Sequence, residues 1–233
     1  MHNMSEMISG TAYFAVVLTL ICYEIGVWFK KKTGWAVATP LLTAAVLIIA
    51  VLLLLKIDYA DYKSGAQMIN YLLTPATVCL AIPLYRQLNL LKKYPVAIFA
   101  GVASGVMTTM VSIFLMSLAF GLNHEQYITL LPKSITTAIG MGISEKMGGM
   151  VTITLVAICI TGVLGNVIAE SWLKLCRITN PIAKGLAIGT ASHALGTTKA
   201  MEMGEIEGAM SSLSIVVAGI MTVIAVSMFA NFI

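Results

Sequence analysis

Charge is scarce in this chain. Only 10% of its 233 residues are Asp, Glu, Lys or Arg, 59% are apolar, and the mean hydropathy is +0.94. A water-soluble domain of this size needs a charged exterior, so the composition excludes one and makes the chain an integral membrane protein. Cysteine is sparse too. Cys22, Cys79, Cys159 and Cys176 are scattered without a CxxC pair, so the spacing of a metal or redox centre is missing and they read as apolar filler or free thiols. The hydrolase signatures GxSxG and HExxH are absent, and His193 has serine neighbours but no triad pattern. The reading is therefore no enzyme, no cofactor and no metal. No basic stripe accompanies the net charge of +4, so nucleic acid is not expected as a partner. Instead, the cations cluster at the ends of apolar runs, where they anchor and orient helices. A cleavable leader is not expected either. The first apolar run, Ile8–Phe29, starts late, runs long and lacks a small-residue cleavage pattern before Lys30–Lys31–Lys32.

What remains is a series of apolar runs. About 20 residues are needed to cross a hydrocarbon core of about 30 Å. Ile8–Phe29, Trp35–Leu55, Gln67–Leu88, Tyr94–Gly121, Met150–Leu173, Asn180–Met201 and Ile206–Ile233 are long enough to read as spans. Pro75 and Pro83 interrupt the third, and Gly101-x-x-x-Gly105 gives the fourth a small-residue face of the kind that lets backbones approach and makes a homodimer an expectation. Lys133–Met147 covers only about 22 Å and reads as re-entrant. Lys30–Lys32, Arg86, Lys92, Lys93, Lys174 and Arg177 then fall on one side, which the positive-inside rule makes cytoplasmic. The expectation is an all-α, polytopic, single integral membrane domain over 1–233. It has about seven crossings, an outer N-terminus and an inner C-terminus, or about eight with both ends outside.

A faint internal repeat is present. "TPATVCLAIPLYRQ" from Thr74 parallels "NPIAKGLAIGTASH" from Asn180, 106 residues later. Each has a capping residue, a proline, Leu-Ala-Ile and then a breaker, Pro83 or Gly189, and each is followed by a glycine-containing helix. The halves are about 1–121 and 130–233. Opposed broken helices of this kind point to a secondary transporter.

Three stretches carry candidate chemistry. In the first, Thr74 caps and Pro75 opens a helix whose free N–H groups would face the interior, with Thr77 adding a hydroxyl. The second is "LPKSITTAIGMGISEK". Lys133, Ser134, Thr136 and Thr137 stand at a helix start, a pattern suited to a carboxylate, and Glu145 and Lys146 close it. Gly140-x-Gly142 is no nucleotide loop, since the preceding strand and third glycine are missing. The third, "NPIAKGLAIGTASHALGTTKAME", places Lys184, His193, Lys199 and Glu202 among apolar residues. Gly185, Gly189 and Gly196 allow close approach or a break, and Ser192, Thr197 and Thr198 supply hydroxyls. His193 titrates near neutral pH and suits a coupling proton. "KAMEMGEIE", 199–207, reads as largely a polar turn.

Together these stretches resemble the LrgB/CidB family of bacterial membrane proteins over nearly the whole chain, through "TPATVCLAIPLY", "LPKSITTAIGMGISEKMGG" and "ASHALGTTKAMEMGEIEGAMSSLSI". The resemblance implies an antiholin-like regulator of holin or murein hydrolase activity and autolysis in a bacterial plasma membrane, with a small LrgA/CidA-type holin-like partner. It also implies kinship with carboxylate transport systems, among them the plastid glycolate/glycerate transporter, and with antiporters built from inverted repeats. The motif residues fall on Thr74–Thr77, Pro132–Ser134, Thr136, Thr137, His193, Gly196, Thr197 and Glu202. Two positions depart from the family pattern: Ala138 stands where a proline often follows the two threonines, and Thr198–Lys199 follows the glycine-threonine pair.

Two functions are expected from different classes. One is transport of a small organic monocarboxylate of pyruvate, glycolate or glycerate type. It would be bound by Thr74, Pro75, Thr77, Lys133, Ser134, Thr136, Thr137, Ser192, His193, Gly196 and Thr197, with proton coupling through His193, Glu145 or Glu202. The other is the antiholin-like regulatory subunit, for which the polar insert is a protein contact. A passive channel is a third reading.

Overall fold

The computed structural model describes residues 12–34, 39–72, 75, 78, 79, 82, 85 and 92–233. Every regular element among the described residues is helical. Among them, Tyr13–Thr33, Pro95–Phe120, Val151–Leu175 and Glu205–Phe232 are long and apolar enough to cross a membrane. The chain divides into two compact units, Met1–Cys79 and Leu80–Ile233.

In the first unit, α1 (Ala12–Thr33) ends on Lys30, Lys31 and Lys32, cations placed where a helix C-terminus favours them. Lys32 lies 4.9 Å over the Trp28 ring. Helix α2 (Pro40–Leu55) starts with proline at its first turn and with the Thr39 hydroxyl accepting from the Leu42 amide. It stops at Lys56, whose backbone is left-handed. The sequence pattern extends this segment back to Trp35, but residues 35–38 lie outside the described residues. The helix itself reaches about 24 Å. Two short helices follow, α3 (Tyr59–Gly65) and α4 (Gln67–Tyr71). Most of the rest of the expected Gln67–Leu88 span, with Pro83 and Arg86, lies outside the described residues.

The second unit is built around three long helices, α5 (Pro95–Phe120), α8 (Val151–Leu175) and α10 (Glu205–Phe229, closed by a 3-10 turn at Ala230–Phe232). Ile98, Val102, Val106, Met110 and Ile113 form one stripe of α5. They bury themselves with Met210, Leu213, Val217 and Val226 of α10 and with Tyr127, Ile128 and Leu131. Two elements intervene. The first is α6 (His124–Leu130) followed by α7 (Thr137–Met147), and the second is α9 (Pro181–Met203).

Helix α9 does not run through. Its backbone leaves helical geometry at His193 (φ 43°, ψ −138°), and the chain reverses there. A side-chain carbon on Gly196 would meet the Ile188 carbonyl oxygen at 3.2 Å, whereas residues eight apart in a straight helix stand about 12 Å apart. Ile188 and Ala200 share one core cluster with Ile178 and Met203. Gly185 abuts the Glu207 carbonyl, while Gly208, one residue on, abuts Met201. Residues 185 and 201 are therefore at one depth, and α9 is a helical hairpin. Its arms, Pro181–Ser192 and Ala194–Met203, are about 18 and 15 Å long, roughly half the hydrocarbon thickness. The expectation that Asn180–Met201 crosses the membrane is corrected by this reversal. So is the expected polar turn over 199–207: helix continues to Met203, and Gly204 alone separates it from α10.

The α6–α7 element is built in the same way. Thr154 of α8 donates to the Thr129 carbonyl (2.9 Å) and to Ser144 Oγ (2.8 Å), fixing both arms at one level. Gly140 faces Ile158 of α8 and the Pro132 carbonyl. This hairpin enters from the face where α8 begins, because the Met150 amide donates to Thr129 Oγ1 (2.8 Å). The α9 hairpin enters from the face where α8 ends.

The glycines of α9 are what let its arms lie against α10. Gly189 touches Ser214 Oγ and the Ser211 carbonyl, and no larger side chain fits there. Gly142 of α7, by contrast, faces open space. Gly189→Leu should destabilise the fold by about 3 kcal/mol through overpacking, while Gly142→Leu stays near wild type. Thermal unfolding of the two purified variants in detergent checks this, and equal midpoints would contradict the close α9–α10 contact.

Candidate functional site

The two hairpin tips meet beside the middle of α8. The first tip is the turn 131–136. Proline at 132, with no N–H to continue a helix, sits within it, and α7 restarts at Thr137. Lys133 Nζ donates to Ser134 Oγ at 3.1 Å. Ser134 and Ile135 are buried. The second tip is Ser192–His193. Gly165 of α8 is filled by Ser192 and Gly162 by the His193 ring and Leu195, so these two glycines make the notch that seats the tip.

His193 holds a backbone conformation costly for any residue with a Cβ, of order 1–3 kcal/mol. What holds it is visible: the ring is buried, and Nε2 lies 3.1 Å from the Ile158 carbonyl oxygen. A carbonyl only accepts, so Nε2 carries hydrogen and only Nδ1 is left to exchange a proton. Thr197 Oγ1 bonds back to the His193 carbonyl (2.9 Å) and pairs with Ser211 Oγ (2.7 Å). Asn166 of α8 donates to the Leu195 carbonyl (2.8 Å) and to Thr198 Oγ1 (3.0 Å). These bonds satisfy backbone groups that the broken helix would otherwise leave bare inside an apolar environment.

A cavity of about 480 Å³ runs from the tips along α8 and the first arm of α9; Lys133, Ser134, Thr109, Thr161 and Ser192 stand in its wall beside apolar residues such as Leu164, Ile168 and Trp172, and among the described residues no acidic one lines it. A cation and hydroxyls make a setting for a small anion. A second groove of about 790 Å³ runs along α5 and the first arm of α9, from Tyr94 and Asn180 inwards. Thr109, Ala187 and Ala191 border both the groove and the cavity.

Of the expected site residues, Lys133, Ser134 and Ser192 come together on this cavity. Thr136 and Thr137 are at the same tip but outside the wall, and His193, Gly196 and Thr197 serve the hairpin's own turn and its contact with α10. Glu145 is exposed near the end of α7, and Glu202 is at the α9 mouth, so both are far along their elements from the tips. Thr74 and Thr77 lie outside the described residues, and Pro75 is exposed in the first unit. Sequence reasoning missed Thr109, Thr161, Gly165 and Asn166. The available signal was "TGVLGN", a run of small and polar residues centred in the apolar α8. Gly105 packs closely on Thr190 of α9, whereas Gly101 is exposed in the wall of the groove.

Helices long enough to cross a bilayer, with two re-entrant hairpins inserted from opposite faces, define a polytopic membrane protein of the broken-helix class. The profile of the LrgB-like family matches residues 19–232, and the chain belongs to that family. It is 41% identical over 224 residues to antiholin-like protein LrgB of Bacillus cereus strain B4264, covering 96% of this chain and 97% of that protein. The antiholin-like protein LrgB of Bacillus anthracis strain CDC 684 / NRRL 3495 gives the same figures. No solved structure matches the chain.

If α9 is re-entrant, both of its ends open on one face. In a background with the native cysteines replaced by serine, Thr179→Cys and Gly204→Cys should react with a membrane-impermeant maleimide from the same side of vesicles, and Gly149→Cys from the other. Labelling of Thr179→Cys and Gly204→Cys from opposite sides would contradict the hairpin.

Proposed function

We propose that this protein is an antiholin-like subunit of a bacterial plasma membrane, restraining holin-like assembly or murein hydrolase activity and so autolysis. The observation that carries this reading is near-full-length identity to antiholin-like relatives. Its partner is a small LrgA/CidA-type membrane subunit. By the positive-inside rule the face of Lys92, Lys93, Lys174 and Arg177 is cytoplasmic. With α9 re-entrant, one crossing fewer is needed and the C-terminus lies outside. Loss of the protein in its host should speed detergent-induced lysis, and lysis at an unchanged rate would contradict the reading.

One observation favours a second activity of the same protein, movement of a small monocarboxylate. That observation is the cavity holding Lys133, Ser134 and Ser192 where the hairpins meet. An inverted repeat with halves near 1–121 and 130–233 pairs the segment at Thr74 with the one at Asn180, and so makes the α9 hairpin one of its two broken helices. The anion is held by Lys133 and by the hydroxyls of Ser134 and Ser192. His193 Nδ1 is better placed than Glu145 or Glu202 to couple a proton. In proteoliposomes, with and without the partner subunit, Lys133→Ala should cut uptake of pyruvate or glycolate by at least about tenfold, the loss of a charge-assisted bond. Full uptake by the variant removes Lys133 from the site. No uptake by wild-type protein under any gradient leaves the regulatory activity alone.

A further inference from the structure

The mouth of the α9 hairpin carries a group of charges that neither activity uses. Glu170, Lys174, Arg177, Lys184, Lys199, Glu202 and Glu207 surround a cleft of about 540 Å³. At its centre, Lys199 of the second α9 arm bridges two carboxylates. It lies 3.1 Å from Glu170 of α8 and 3.4 Å from Glu202 of its own arm. Lys174 holds the other oxygen of Glu170 at 2.9 Å. Lys199 is the more sheltered partner, with a side chain 23% exposed.

The two sides of the hairpin are held in different ways. Against α10 the contact is tight: Gly185 on Glu207 and Met210, Gly189 on Ser211 and Ser214, and Thr197 on Ser211. Separating these surfaces would open voids between fitted backbones. Against α8, Ala169 and Leu173 pack on Ile188 and Ala200, the tip sits in the Gly162–Gly165 notch, and the second arm is held by polar bonds at three depths. His193 bonds Ile158 at the tip, Asn166 bonds Leu195 and Thr198 midway, and Lys199 bonds Glu170 at the mouth. Polar bonds near the mouth can exchange for water as they part, whereas the backbone-to-backbone fit of Gly185 and Gly189 on α10 has no such exchange. The cavity lined by Lys133, Ser134, Thr161, Gly165 and Ser192 opens along this α8–α9 seam.

We propose that the α9 hairpin is a gate that stays with α10 and parts from α8, and that Lys199 bridging Glu170 and Glu202 is the clasp that keeps it closed. This proposal rests on the reading that the Lys133 cavity takes a solute, since a gate needs something to admit. The seam opens from the mouth inwards, so the clasp breaks first and the notch at Gly162 and Gly165 empties last. A gate of this design is closed by a charge pair and reopened without disturbing the α9–α10 body.

The test is hydrogen–deuterium exchange of the full chain in lipid nanodiscs, comparing wild type, Lys199→Gln and Lys199→Arg. Gln keeps the length and loses the charge, whereas Arg keeps the charge and both carboxylate contacts. Amides of 194–203 should exchange about fivefold faster in Lys199→Gln, the scale of a half-exposed ion pair, and return to wild-type rates in Lys199→Arg. Amides of 209–218 in α10 should not change in either. Unchanged exchange in Lys199→Gln overturns the clasp, and parallel acceleration of 209–218 overturns the gate by showing that the whole packed body loosens. Should Lys199→Gln not fold, Glu170→Gln removes the same pair from the α8 side and carries the same expectations. Solute uptake by the same proteins separates the two claims. Faster exchange with no uptake by wild type retains a mobile hairpin and removes the solute reading. Uptake by wild type with unchanged exchange in the variants retains the site and removes the gate.

Discussion

A backbone that stops being helical inside lipid must find every hydrogen bond within the protein, because the surrounding tails offer none. This constraint shapes the second unit. The chain turns at 131–136 and again at His193, and each turn is placed where other elements cover it. The His193 turn is sheltered by the α8 notch, by the Thr197 hydroxyl on its own carbonyl and by Asn166 reaching the Leu195 carbonyl. The α6–α7 turn is sheltered through Thr154, which ties its two arms to α8. Hydroxyls and one asparagine therefore do the work that water does in a soluble loop.

Close covering demands small residues, and the placement of glycine follows. Inside a bilayer, helices are not driven together by the hydrophobic effect, since lipid tails are as apolar as leucine, so fitted packing has to hold them. Gly185 and Gly189 serve the α10 side of the hairpin, and Gly162 and Gly165 serve the α8 side. The same economy of volume leaves room at the tips. Lys133 and the hydroxyls of Ser134, Thr161 and Ser192 line that room, and it is the part of the fold with the composition of a binding site.

Much of this was legible in the sequence and some was not. The apolar runs gave α1, α5, α8 and α10 because length and hydropathy are local properties. The shortness of Lys133–Met147 pointed to a re-entrant element for the same reason. The α9 segment has span length, and its glycines and proline invited a break at one of them. The break falls at His193 instead, since the glycines are consumed in packing and a histidine can be held in a strained conformation by a hydrogen bond about two helical turns into α8. No local pattern reports that bond. Lys133, Ser134 and Ser192 were found from motif chemistry. Thr109 and Thr161 were not, because a lone threonine in an apolar helix usually bonds back to its own turn and carries no further signal.

The account stands on one geometrical claim, that α9 enters and leaves by the same face. A gate, a site at the tips and a C-terminus outside the cell all fail if α9 is a continuous span. Spin labels at Ala183 and Glu202, in protein whose native cysteines are replaced by serine, measure this directly by pulsed electron resonance in nanodiscs. A straight helix puts the two positions about 28 Å apart along its axis. The hairpin puts them on neighbouring arms, and the account predicts a distance below about 20 Å, helix spacing plus label arms. A distribution centred near the straight-helix value would contradict it.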